Sequence, residues 1–153
     1  MKKIMAILAL CLAAAIATGA APSAADTIPP APKNYKVDLD LSRLSGTVVF
    51  SQVYNMMVEP EPYLGKIIKI AGYYSAYEDT EREVVYHACI IPDAAACCSQ
   101  GIEFVRSGEP VWPDEYPREG TDIVVTGRLE TYEEDGYEYL HLTDAELIWE
   151  NKS

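Results

Sequence analysis

Basic residues are scarce in this sequence. It holds 12 lysines and arginines against 24 aspartates and glutamates, which gives a formal net charge of −12 over 153 residues. Such a surface repels phosphate groups, so nucleic acids and anionic membrane surfaces are disfavoured as partners. The 11 tyrosines could stack on bases, but the basic groove that must accompany such stacking is missing.

Motifs of several familiar functional classes are also missing. The chain has no C-x-x-C pair, no G-x-S-x-G motif and no D-x-D-x-D-G loop. These absences count against a thioredoxin-like redox centre, an α/β-hydrolase nucleophile and a calcium-binding loop. An enzyme is therefore the less favoured class of protein.

The first 25 residues have the layout of a secretory signal peptide. Lys2 and Lys3 precede an apolar run from residue 4 to about residue 18, and small residues follow up to Ala25. The apolar run contains Cys11 and is shorter than the roughly 20 residues of a spanning helix. We expect a secreted or extracytoplasmic protein of the cell envelope, with no membrane span after signal removal. Cleavage would make the chain two charges more negative, because it removes two lysines and no acid.

Residues 26–44 include the run TIPPAP, which predicts an extended, proline-rich linker. The folded domain is then expected over residues 45–150. It should begin with a helix, because Val49, Val53 and Met56 or Met57 recur at helical spacing. Pro60 ends this helix.

A short internal sequence repeat, the echo, follows the helix. Residues 65–72 and 120–127 both begin and end with glycine around β-branched residues, and Tyr77-Glu78 and Tyr132-Glu133 follow at equal distances. Glycine inside a strand indicates a bulge or bend, and such bends let a sheet curl into a barrel.

The remaining strands are expected at residues 84–91, 101–105 and 137–142. An Asp-Gly pair at residues 135–136 predicts the turn into the last strand. The fold class is therefore mainly β, a small five-stranded OB-fold-like barrel with one N-terminal helix.

Candidate ligands for a metal ion cluster between residues 86 and 104. Alternation along the strand puts His87 and Cys89 on one face, and the return strand would bring Cys97 and Cys98 back towards them. Three sulfurs and an imidazole nitrogen form a donor set that zinc or copper accepts. A disulfide from Cys89 to Cys97 or Cys98, or plain apolar packing, competes with the metal site and is favoured over it.

Two further features have competing interpretations. The segment from 106 to 119 is a long loop whose Trp112 and Tyr116 either cap the barrel or receive a ligand, and capping is favoured. His141 alternates with leucines in the last strand, so a structural role is favoured over ligation.

The run EPYLGK at 61–66, IKIAG at 68–72, the Cys97-Cys98 pair and the strand at Gly127 resemble the soluble OB-like domain of YcgQ-like bacterial envelope proteins. The similarity covers about residues 45–149. The resemblance implies an OB barrel on the outer side of the membrane, in a family without an established activity. This chain departs from the pattern by lacking the membrane-spanning part.

Together these features predict an exported binding module. The expected partner is a metal ion, a small ligand or another envelope protein, held by the Cys/His hairpin or the barrel face. A thiol-dependent redox protein of the cell envelope, using Cys89, Cys97 and Cys98, is the alternative.

Overall fold

A computed structural model describes residues 36–93, 95 and 98–150. The predicted signal peptide and most of the predicted linker lie outside these residues. Within the described part of the chain, one helix and six strands follow one another. In order they are β1 (Leu39–Asp40), α1 (Gly46–Val58), β2 (Ile67–Asp79), β3 (Val84–Pro92), β4 (Ser99–Arg106), β5 (Asp122–Glu134) and β6 (Tyr137–Trp149).

The prediction of a mainly β protein with one helix before the main strands is confirmed. The strand number was wrong by one, because β1 forms a two-residue parallel pairing with β2. The sheet runs in the order β1-β2-β3-β4-β6-β5, and an additional β2–β5 pairing partly closes it into a ring. All neighbours within the ring are antiparallel except β4 and β6, which run parallel.

Helix α1 follows the predicted periodicity. Val49, Val53 and Met56 are buried, whereas the neighbouring Met57 is about half exposed. The buried side chains pack against the core of the sheet, so Met56 is the methionine that serves the core. This packing explains why a short helix is stable here, since tertiary burial supplies most helical stability in proteins.

The last glycine of each echo segment, Gly72 or Gly127, lies where the strand pairing changes. At Gly127 the β5–β6 register shifts, which confirms the predicted bulge. At Gly72, β2 passes from its β5 pairing to its β3 pairing. A Cβ on Gly72 would lie 2.4 Å from the Ile90 carbonyl oxygen and 2.7 Å from Cys89 Sγ, so only glycine allows this close approach.

The predicted Asp-Gly turn joins β5 to β6. Asp135 and Gly136 both have positive φ, at 52° and 80°. Two central residues with positive φ define the type I′ turn, whose twist matches that of the flanking strands. The hairpin arm that results is long, because Glu134 pairs with Tyr137 and the ladder continues to the Ile123–Trp149 pair.

The N-terminal edge of the domain lies before Ser45. Leu39 and Asp40 pair with β2, and Leu41 is buried in the core. The folded domain thus includes residues that the proline pattern had assigned to the linker. No described residues form a helix with the length and apolar character needed to cross a bilayer.

Candidate functional site

Strand β3 brings two of the four predicted metal ligands to one face. Cys89 belongs to the buried core, and His87 lies against Phe104 and Tyr74, which are core residues as well. The strand alternation therefore predicted their common orientation correctly. Cys89 is removed from solvent, whereas His87 is half-buried at the edge of the core.

Cys89 is fully buried, and its thiol is unreactive. Its side chain is 0% exposed, and Gly72 leaves room for its sulfur. Burial raises the pKa of the thiol to about 12, so it stays protonated at physiological pH. Metal binding and thiol–disulfide exchange both need the thiolate. The surroundings of Cys89 therefore favour its role as a small apolar core residue.

His87 is held by aromatic neighbours. The Tyr74 hydroxyl lies 2.8 Å from His87 Nδ1, and the Tyr116 ring stacks on the imidazole at a centroid distance of 4.0 Å. Burial, and secondarily the nearby Arg106 charge, lowers the pKa of His87 to about 4. Burial likewise raises the pKa of Tyr74 to about 12, so a neutral phenol faces a neutral imidazole. His87 is a half-buried histidine that is packed between aromatic rings and hydrogen-bonded.

The other two predicted ligands are not brought to this point. Cys98 is exposed and lies at the far end of the hairpin, where its carbonyl accepts from the Asp93 amide at 2.9 Å. Cys89 pairs with Ile102, four residues beyond Cys98, which puts the two cysteines about 13 Å apart along the strand. A disulfide requires Cα atoms within about 7 Å.

Cys97 lies outside the described residues. Among the residues that are described, no group of three or more histidine, cysteine, aspartate and glutamate side chains is arranged to hold a metal ion. The described geometry therefore gives no support to the predicted zinc or copper site at His87, Cys89, Cys97 and Cys98.

A different concave site lies on the outer face of the sheet. Two hairpin tips meet there, because Arg82 in the β2–β3 turn pairs with Asp79 at 3.1 Å and also contacts Asp135 in the β5–β6 turn. The Tyr86 hydroxyl donates to Glu134 at 2.6 Å and joins the same two hairpins. These contacts join the two tips beside a depression.

We name this depression the tyrosine groove. It has a volume of about 400 Å³. Tyr77 stacks on Tyr86 and Tyr132 stacks on Tyr139, so an aromatic pair comes from each hairpin. The lining residues are Ser75, Tyr77, Asp79, Arg82, Tyr86, Ala88, Ile90, Glu103, Tyr132, Glu134 and Tyr139.

Two of the four rings are presented to solvent, and the hydroxyls of the other two tyrosines orient carboxylates. Tyr77 is 68% exposed and Tyr139 is 41% exposed. The Tyr132 hydroxyl donates to Glu103 at 2.5 Å. Burial and this hydrogen bond raise the pKa of Tyr132, and the hydrogen bond to Glu134 raises the pKa of Tyr86. Both phenols therefore stay neutral hydrogen-bond donors.

His141 borders the groove without lining it. It pairs with Glu103 on β4 and with Glu130 on β5, and its ring lies 4.6 Å from the Tyr132 ring. Burial lowers its pKa, while the two glutamates oppose that change. His141 supports the Tyr132 ring from the side, in keeping with the structural role that the sequence favoured.

A wider cleft lies beside the long loop between β4 and β5. Its volume is about 1060 Å³, and Tyr73, Pro113, Tyr116, Arg118 and Trp149 are among its lining residues. Tyr116 packs against the core, as the capping interpretation expects. Hydrogen bonds between Tyr74 and both Gly120 and Thr121 fasten the loop to β2. The loop thus covers one end of the ring of strands.

Sequence reasoning missed the tyrosine groove, although one signal pointed to it. Tyr77 and Tyr132 occupy equivalent positions in the internal echo, and both line the groove. Glu103 carried no recognisable signal, because its role depends on the pairing of β4 with β3 and β6.

Comparison with protein-family models, with curated proteins and with solved structures finds no match for this chain. The resemblance to YcgQ-like envelope domains therefore stays a prediction. The function has to be inferred from the geometry of the site.

Proposed function

We propose that this protein is an exported, OB-fold-like binding module whose ligand site is the tyrosine groove. The main support is that two hairpin tips, joined by the Arg82–Asp135 contact, border a groove with exposed tyrosine rings on the outer face of the sheet. Concave sites with aromatic walls and a few fixed polar groups are the usual form of a small-ligand site.

The strand connections support the OB-like part of the proposal. The order β2-β3-β4-β6-β5, with β5 returning to β2, makes a five-stranded ring in which the third and last strands are parallel. OB folds bind ligands on the face of their second and third strands, between the first loop and the last. In the proposed OB-like arrangement the tyrosine groove takes the corresponding place, because β2, β3 and β4 all contribute to its lining and the two tips, which contact each other through Arg82 and Asp135, border it.

The geometry around Cys89 and His87 supports neither a metal module nor the thiol redox alternative. Cys89 is fully buried with a raised pKa, and the nitrogen Nδ1 of His87 is already engaged by Tyr74. Placing the ligand at the groove keeps the predicted class of protein and moves its site to the opposite face of β3.

A ligand screen tests the proposal. Compounds that raise the melting temperature of the wild-type protein are retested on the Tyr77→Ala/Tyr139→Ala double variant, because a ligand that binds only the native state stabilises it by mass action. The matched control is Tyr54→Ala, since Tyr54 is a comparably exposed tyrosine on α1, outside the groove. We expect stabilisation of the wild type and the control, and its loss in the double variant. Equal stabilisation of all three proteins, or no stabilising compound among organic cations, sugars and acids, would contradict the proposal.

A further inference from the structure

Carboxylates outnumber basic side chains in the lining of the tyrosine groove. In the described part of the chain, the ion pairs at the groove all involve Arg82, whose charge is shared between Asp79 and Asp135. Glu103 and Glu134 are half-buried and form no ion pair with a described lysine or arginine. Glu134 also acts on the charge of Arg82, but one arginine against three carboxylates leaves the lining with a net negative charge, which attracts a cation.

Tyrosine hydroxyls orient the carboxylates of Glu103 and Glu134 before any ligand binds. Tyr132 donates to Glu103 and Tyr86 donates to Glu134, so each carboxylate has one acceptor site occupied. An ionised carboxylate accepts about four hydrogen bonds, which leaves acceptor sites for an incoming donor. Because the tyrosines fix the carboxylates beforehand, binding costs little side-chain entropy.

The space between the carboxylates is aromatic. Tyr77 and Tyr139 expose ring surface to the groove, and Ala88 and Ile90 add an apolar floor. A cation over a tyrosine face within about 6 Å is attracted by the ring quadrupole. Ammonium groups joined by short alkyl chains combine positive charges with apolar spacers, and they match this arrangement of acids and rings.

We propose that the tyrosine groove binds an organic polycation, a linear molecule with two or more ammonium groups. Glu103 and Glu134 anchor the charges, and Tyr77 and Tyr139 contact the alkyl segments. The inference rests on the proposed function, since it names the ligand class of the same groove. It also agrees with the formal net charge of −12, because an acidic surface raises the local concentration of cations.

Isothermal titration with spermidine tests this inference on the wild type and on Glu103→Gln and Glu134→Gln. Glutamine keeps an oxygen that accepts from the neighbouring tyrosine and removes only the charge. We expect saturable binding by the wild type and a loss of about tenfold in affinity for each variant, which corresponds to about 1.4 kcal/mol. Raising the salt concentration should weaken wild-type binding, because charge pairs at a half-buried site are partly screened.

The matched control is Glu133→Gln. Glu133 neighbours Glu134 on β5, is exposed and does not line the groove, so it reports the effect of losing one surface charge. We expect the affinity of this variant to stay within about twofold of the wild type. An equal loss in all three variants would mean that spermidine acts as a general counterion, and the inference would be overturned.

The two proposals fail in different ways. If spermidine does not bind, while a neutral sugar stabilises the wild type and not Tyr77→Ala/Tyr139→Ala, the ligand class is wrong and the groove remains the site. If spermidine binds and the double tyrosine variant retains full affinity, the groove itself is refuted as the site of binding.

Discussion

Replacing His87 by glutamine should reduce the loss of stability that the protein suffers in mild acid. His87 lies between the Tyr74 hydroxyl and the Tyr116 ring, and its pKa is lowered from 6.5 to about 4, mainly by burial. Among the described residues, Arg106 is the one charge that contributes to this shift, and it also opposes protonation. Glutamine retains an acceptor for Tyr74 and removes the titrating group.

The sign and size of the effect follow from proton linkage. Between about pH 6.5 and pH 4 the unfolded chain protonates this histidine and the native protein does not. The contribution of neutral His87 is therefore complete above pH 6.5 and is lost as the pH falls towards 4. The full shift corresponds to about 3.4 kcal/mol at 1.36 kcal/mol per pKa unit, and solvent screening of a half-buried ring reduces this to about 1–2 kcal/mol.

Urea denaturation at neutral pH and at about pH 4.5 measures the effect. Carboxylates titrate over the same range, so the informative quantity is the difference between the wild type and the variant. We expect His87→Gln to lose about 1–2 kcal/mol less than the wild type on acidification. His141→Gln is the control and should show a smaller difference, because Glu103 and Glu130 oppose the lowering of the pKa of His141. Equal losses in the wild type and His87→Gln would refute the reasoning.

Two further predictions concern the interior. Gly72→Ala should lower the free energy of unfolding, measured by urea denaturation, by about 3 kcal/mol, because the added Cβ would lie 2.4 Å from a carbonyl oxygen. The control is Gly46→Ala in α1, whose Cβ would meet nothing closer than 3.8 Å, so this variant should be neutral or stabilising. Similar free energies of unfolding for the two variants would contradict the close approach. Cys89 should resist iodoacetamide in the native protein and react after denaturation, because it is 0% exposed and its pKa is raised to about 12. Peptide mass spectrometry measures this, and equal labelling rates in both states would disprove the buried thiol.

The elements of the fold that depend on local sequence were predictable. The spacing of Val49 and Val53 gave the helix, and the Asp135-Gly136 pair gave the hairpin turn. The echoed glycines indicated the bends, because a glycine within a strand has few other structural explanations. Strand ends were less predictable: β6 continues to Trp149, seven residues past its predicted end, because β5 supplies a pairing partner throughout.

The candidate site was harder to predict because residue type alone does not determine burial. His87 and Cys89 have the chemistry of metal ligands, but the inward face of β3 places Cys89 in the core and packs His87 against the core residues Tyr74 and Phe104. The groove depends instead on contacts between residues far apart in sequence, such as Tyr86 with Glu134 and Tyr132 with Glu103. Single-sequence patterns do not encode these pairings, since they follow from how the two hairpins approach each other.

The most direct test of the central claim is a two-dimensional amide NMR titration of the protein with spermidine. The account predicts saturable shifts of residues on β2, β3 and the β5–β6 arm around Tyr77, Ala88 and Glu134, with the cleft beside Tyr116 unaffected. Shifts confined to that cleft, or small shifts spread evenly over the acidic surface, would contradict it.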